Sequence, residues 1–234
     1  MRPRVLWLLL AAVALVFSPL AREGAAGPPQ ASKAKSPATE VAGVWFMHGK
    51  VQPNYLEPED APLTPWGAQQ FKANQERTNP DFFCFPPGVP KVWLIPAPFE
   101  IIPLPGRILI IYETQHLIRQ IHMNRKEHPK DYIPTWFGDS IGHWEGGTLV
   151  IDTAGFNDQT TVDLFGLPHS DAFHVIERIH LVNHDLLEME ATIDDPKAYT
   201  KQWSAKRTYD RKPTWEIGEE VCEENNDYLI QNPH

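Results

Sequence analysis

The sequence predicts an all-β chain, closed into a single antiparallel β-barrel of lipocalin-like (calycin-like) architecture with one short N-terminal helix. Three observations carry this expectation. From Phe99 onward, short segments rich in Val, Ile, Leu and aromatic residues alternate with turn signals at Pro105–Gly106, Gly146–Gly147, Asn183–Asp185 and Asp194–Pro196. The segments follow one another in hairpin order, and "WEGGTLV" is a two-residue hairpin signal with glycines where positive φ is needed. An open meander of roughly eight to ten strands would leave two bare edges, and closure removes them.

The chain opens with "MRPRVLWLLLAAVALVFSPLAREGAAG". Arg2 and Arg4 precede an unbroken apolar run of 13 residues, Val5 to Phe17, and small residues follow. The run is too short to span a bilayer as an anchor and reads as a secretory signal peptide over 1–26. Residues 27–40 are small, polar and proline-containing, the composition of a disordered leader. The barrel domain then runs over 41–234. Removing 1–26 removes three arginines and one glutamate, which takes the formal charge from −9 to −11. With no basic cluster, this charge argues against nucleic acid and anionic membrane partners, and no further segment is apolar enough for stable membrane insertion. The expected location is exported, periplasmic or extracellular. Oligomeric state is left open.

"GVWFM" (Gly43 to Met47) starts the domain. In "PLTPWGAQQFKANQER", Thr64 is the N-cap, Pro65 the first helical residue, and the helix runs to about Gln75. "PDFFCFPPGVPKVWLIPAP" holds too many prolines for regular structure and is expected to wrap across the body. Strands are expected at Phe99–Pro103, Arg107–Glu113, His116–Asn124, Ser140–Glu145, Thr148–Thr153, His174–Val182, Leu186–Asp194, Lys201–Asp210 and Thr214–Cys222. The two cysteines, Cys84 and Cys222, would form one disulfide in an oxidising compartment. It would tie an early loop to the last strand and contribute on the order of 4 kcal/mol in the chain-entropy model.

Leu186–Asp194 alternates cleanly, with Leu187, Met189, Ala191 and Ile193 on one face and acids and threonine on the other. Its hairpin partner, "DAFHVIERIHLV", should therefore point Glu177 inward together with Phe173, Val175, Ile179 and Leu181. Two other strands show the same anomaly: Glu113 shares a face with Leu109 and Ile111, and Arg119 with Leu117, Ile121 and Met123. A lone buried carboxylate is costly unless paired, so Glu113, Arg119 and Glu177 are expected to meet in one cavity.

From about Cys84 onward the chain resembles a family of exported bacterial proteins known as uncharacterised. The resemblance rests on "CFPPGVP", "PTWFGDSIGHWEGGTLVIDTAGFND", "PHSDAFHVIER" and "TIDDPKAYTKQW". The family carries Asp in the W-E-G-D-T hairpin turn, whereas this chain has Gly147, so no role of that carboxylate carries over. The resemblance implies export and a polar set that falls on His116, Arg119, Trp144, Asp152, His169, His174, Glu177 and Arg178. It implies no reaction.

Glu113, Arg119 and Glu177 support two readings. A carboxylate in an apolar pocket suits general acid/base work, with Arg119 as an electrostatic clamp. The same groups equally form a buried ion-pair network that specifies strand register. His116, Trp144, Phe173 and His174 are the candidate ligand-contacting residues of a cavity. No metal site is expected. His169 and His174 are the lesser candidates, because His174 and Glu177, three apart on a strand, face opposite ways. No nucleophile elbow, phosphate loop, dinucleotide fingerprint or haem motif occurs, so no cofactor is expected. The primary functional expectation is an exported small-molecule-binding barrel whose apolar cavity holds the Glu/Arg cluster. Its ligand would be small, apolar or aromatic, with a polar group. Two alternatives remain: a cofactor-independent lyase, isomerase or hydrolase using Glu177 as acid/base, and a structural envelope protein with a filled core.

Overall fold

Nine strands close into one barrel in sequence order, β1 to β9, in a computed structural model described over residues 36–49, 61–77 and 84–224. They are β1 (Gly43–Met47), β2 (Phe99–Leu104), β3 (Arg107–Tyr112), β4 (Ile118–His122), β5 (Asp139–Glu145), β6 (Thr148–Ala154), β7 (His174–Asn183), β8 (Leu186–Asp194) and β9 (Trp203–Arg211). The signal peptide expected over 1–26 and most of the leader expected over 27–40 lie outside the described residues. The barrel is lipocalin-like, as the hairpin order predicts, and every neighbouring pair but one is antiparallel.

The exception is β4 with β5, which run parallel through Ile121↔Ser140 and His122↔Ile141. A parallel pair needs a crossover connection rather than a hairpin. Here the connection spans 123–138 and contains Pro129 and Pro134, which lack the N–H a ladder requires. That crossover lies across the outside of the barrel and brings His128 to β6 and β7.

Two further expectations are corrected. Thr214–Cys222 is not a strand. β1 already pairs with β2 on one side and β9 on the other, so no edge remains for a tenth strand. The end of the leader is also ordered: Pro37–Val41 forms α1, capped by the Ser36 side chain on the Thr39 N–H. Val41 is buried, and its carbonyl accepts the Trp45 indole N–H at 2.9 Å. α2 spans Pro65–Glu76 with Thr64 as N-cap, as its sequence dictates.

The proline-rich passage does more than wrap. Lys91–Leu94 forms a 3-10 turn that buries all four of its residues and sends Trp93 into the barrel. There the indole meets Phe99 edge-on, with ring centroids 4.9 Å apart, and the Tyr209 hydroxyl donates to the Trp93 carbonyl at 2.9 Å. The interior is packed with Trp45, Phe99, Ile110, Tyr112, Ile151, Val175, Met189 and Tyr209, each no more than 2 % exposed. Cys84 and Cys222 form the expected disulfide across 138 residues of sequence, although Cys222 lies in a turn rather than on a strand. No helix among the described residues is long and apolar enough to cross a membrane.

Candidate functional site

Arg119 and Glu177 meet inside the barrel. The β4–β5–β6–β7 registers place Ile121 opposite Ser140, Ser140 opposite Thr153, and Thr153 opposite Val175. Inward positions on four adjacent strands therefore bring Arg119, Ser140, Thr153 and Glu177 together. Arg119 Nη1 donates to Glu177 Oε1 at 2.9 Å, and Nη2 donates to Glu177 Oε2, a forked ion pair. Its Nε donates to Ser140 Oγ at 3.2 Å and Nη2 to Thr153 Oγ1 at 2.9 Å. Trp93 Nε1 donates to Glu177 Oε1 at 2.6 Å.

Glu177 is 0 % exposed and Arg119 2 %, so no water-sized space adjoins the carboxylate. Burial works against the Arg119 charge, but the Glu177 carboxylate outweighs it and holds the guanidinium pKa above its usual value. Tyr112 lies beside this pair without a well-formed hydrogen bond. Burial pushes its phenol pKa up, the Arg119 charge only partly opposing.

Glu113 does not join them. The inward face of β3 is Ile108, Ile110 and Tyr112, so the opposite parity and the end of the strand carry Glu113 away. It stands at the N-cap position of the 3-10 turn Thr114–His116 without a side-chain bond to that turn, and its carboxylate accepts the Gly218 N–H at 2.8 Å. His116, expected near a ligand, sits at φ 51° and its Nε2 accepts the Glu220 N–H at 3.2 Å, holding the C-terminal segment. Phe173 is buried between Phe156 and His169, with centroids at 4.8 and 4.6 Å, and serves packing. Trp144 is partly buried against the core near the β5–β6 hairpin.

His169 and His174 separate. His169 Nδ1 donates to the Ser170 carbonyl at 3.2 Å while Nε2 accepts from Thr160 Oγ1 at 2.6 Å, and burial lowers its pKa. His174 lies on the outer face of β7, and its Nε2 bonds Asp152 Oδ1. That bond, the largest influence, raises the His174 pKa against partial burial. His128 from the crossover completes the group: its Nε2 lies 3.1 Å from Asp152 Oδ1 and its Nδ1 2.8 Å from Asp139 Oδ1. Arg125 Nη2 donates to Asp139 Oδ2 at 2.7 Å. Burial raises the pKa of both aspartates, but the hydrogen bonds they accept prevail and leave both lowered. Sequence reasoning missed His128 and Asp139 because no local spacing ties them to His174. Only the crossover does so.

A cleft of about 700 Å³ lies between α2 and the 158–171 segment. Its walls include Trp66, Gln70, Asn74, Thr160, His169 and Lys197. The Thr64 hydroxyl accepts the Gly67 N–H at 3.0 Å and donates to the Lys197 carbonyl at 2.6 Å, which seats the helix start. Gly67 is required there, since a Cβ would stand 2.2 Å from the Ala198 carbonyl oxygen. Asn74 Nδ2 donates to the Gly166 carbonyl at 2.9 Å, and Gln75 Nε2 to that of Phe165, so the helix holds the facing wall. Asp163 accepts the Phe165 and Leu167 N–H groups at 3.0 and 2.8 Å and fixes that turn. Lys197 Nζ lies 4.9 Å over the Trp66 ring and 3.3 Å from Asp171. None of these wall residues except His169 stood out in the sequence.

No protein-family model matches the chain, and no curated protein is detectably similar. Among solved structures the chain is similar to a secretary abundant heat soluble (SAHS) protein from Ramazzottius varieornatus, at 12 % identity and a TM-score of 0.36. The match covers 74 % of this chain and 96 % of that one.

Proposed function

We propose that the protein is an exported binding barrel that holds a small polar ligand in the α2 cleft, not in the barrel interior. The observation that carries this reading is the contrast between the two spaces. The cleft measures about 700 Å³, within the usual size of small-molecule sites, while the interior is filled up to the Glu177 carboxylate. The N-terminal sequence and the Cys84–Cys222 disulfide support export.

The cleft chemistry replaces the apolar ligand expected from sequence. Trp66 offers an aromatic ring with Lys197 over one face, Gln70 an amide donor and acceptor, and the Asn74 and Thr160 side-chain oxygens further acceptors. That set suits a ring-bearing, hydroxylated molecule, with stacking on one face and hydrogen bonds at its rim. Acid/base catalysis by Glu177 finds no support. Each of its oxygens is taken up by Arg119 or Trp93, and no substrate atom could come within hydrogen-bond reach. In this reading Arg119 and Glu177 specify strand register, with Ser140 and Thr153 completing their bonds.

A panel of hexoses, N-acetylhexosamines and hydroxybenzoates, titrated against the mature protein by calorimetry, tests the reading. The expected result is binding by at least one class that Trp66→Ala and Gln70→Ala each weaken about tenfold or more. Binding that survives both substitutions refutes the cleft as the site. No binding across the panel favours the filled structural shell, the reading that the packed interior also supports.

A further inference from the structure

We propose that His128, Asp152 and His174 form a binding site for one zinc-class divalent ion on the outer face of the barrel. Their potential ligand atoms all lie within 4.8 Å of one another. The three residues reach this point from separate elements: Asp152 from β6, His174 from β7 and His128 from the crossover between β4 and β5. Both imidazole Nε2 atoms point at the same oxygen, Asp152 Oδ1, with His128 Nε2 at 3.1 Å. Each contact is a hydrogen bond, with a proton between the nitrogen and the oxygen. A zinc ion about 2.0–2.2 Å from each nitrogen and oxygen takes the place of those protons, with the ligand atoms moving slightly apart.

The surroundings prepare His128 for this role. Its Nδ1–H donates to Asp139 Oδ1 at 2.8 Å, which fixes the ring so that Nε2, on giving up the proton it shares with Asp152, is turned to the ion. Arg125 holds Asp139 in turn, at 2.7 Å. Asp139 and Asp152 together outweigh the Arg125 charge, and Asp194 adds a further negative charge beside His174. The ligand side chains are 18 %, 34 % and 35 % exposed, enough for an ion to enter and for water to fill the fourth position. Two imidazoles and one carboxylate with an open position suit zinc, and cobalt as its spectroscopic stand-in. No residue of this cluster lines the cleft, so the two proposals stand or fall separately.

The test uses the mature protein with any affinity tag removed, stripped with a chelator and titrated with zinc chloride by calorimetry. Metal content is measured in parallel, and cobalt chloride supplies a visible absorption band. One ion per chain is expected, with His174→Ala, His128→Ala and Asp152→Ala each weakening zinc by about 100-fold or more. Asp139→Asn, a change at a positioning residue, should weaken it about 10–100-fold and shift the cobalt band. His143→Ala and His184→Ala, at exposed histidines paired with Glu145 and Asp185, should leave the site unchanged. If an alanine variant unfolds by circular dichroism, His174→Gln and His128→Gln are read in its place. Substoichiometric uptake, or uptake that survives both histidine substitutions, overturns the proposal.

Discussion

Replacing Glu177 by glutamine removes the negative charge that faces the Arg119 guanidinium inside the barrel. Glutamine retains one acceptor oxygen but turns an amide NH2 toward donors that already point at it. Both groups are at most 2 % exposed, so no solvent enters to replace the lost partner. Breaking a buried ion pair from one side costs about 3–5 kcal/mol, because a charge is left uncompensated. For a domain of this size each kcal/mol lowers the Tm by roughly 2–4 °C, so a fall of about 6–20 °C is expected. Urea unfolding followed by circular dichroism, with the disulfide intact, measures the free energy directly. A second variant sharpens the test. Arg119→Met combined with Glu177→Leu removes both charges, so its loss should be smaller than that of the single change, roughly 1–3 kcal/mol. That remainder comes from Trp93 Nε1, which loses its acceptor. A Glu177→Gln protein within 1 kcal/mol of wild type would falsify the buried-pair reasoning and reopen the interior as a ligand space.

Three further outcomes are expected. Intact mass should show the oxidised chain lighter by two hydrogens than the reduced one. Cys84→Ala with Cys222→Ala should lower stability by about 5 kcal/mol for a loop this long, measured by unfolding with and without reductant. Two free thiols in the purified protein would rule the bridge out. Gly67→Ala, which stabilises an ordinary helix interior, should here destabilise by about 1–3 kcal/mol, because its Cβ meets the Ala198 carbonyl. A higher Tm in that variant would show that α2 does not sit against Ala198. Burial raises the phenol pKa values of Tyr112 and Tyr199, so the folded chain keeps protons that the unfolded chain releases above about pH 10. Stability should therefore fall as pH rises beyond about 10, and Tyr112→Phe or Tyr199→Phe should flatten the fall. Phenolate absorbance appearing in the ordinary range at both positions while the protein remains folded would contradict it.

The strand alternation was legible where polar and apolar residues truly alternate. Leu186–Asp194 does so, and its hairpin partner placed Glu177 inward, as the structure has it. In "RILIIY" five of six residues are apolar or aromatic, so parity could not be read there, and the face of Glu113 came out reversed. Pairing with β2 and β4 sets that parity, and neither partner can be assigned from the segment alone. Arg119 was readable because Leu117, Ile121 and Met123 mark its face.

By itself, the amino-acid sequence determined the local matters: hairpin turns, the Thr64 cap with Pro65, the single possible cysteine pairing, and a charged residue on an otherwise apolar strand face. These depend on backbone preferences and on periodicity over a few residues. Only the tertiary structure decided which distant groups meet. It closed β9 onto β1, ran β5 parallel to β4, and so laid the crossover with His128 over Asp152 and His174. It also seated α2 against the 158–171 segment to make a cleft that no local pattern announces. The reason is physical: convergence of side chains depends on strand order, register and loop path, and those are settled by burial of the whole core.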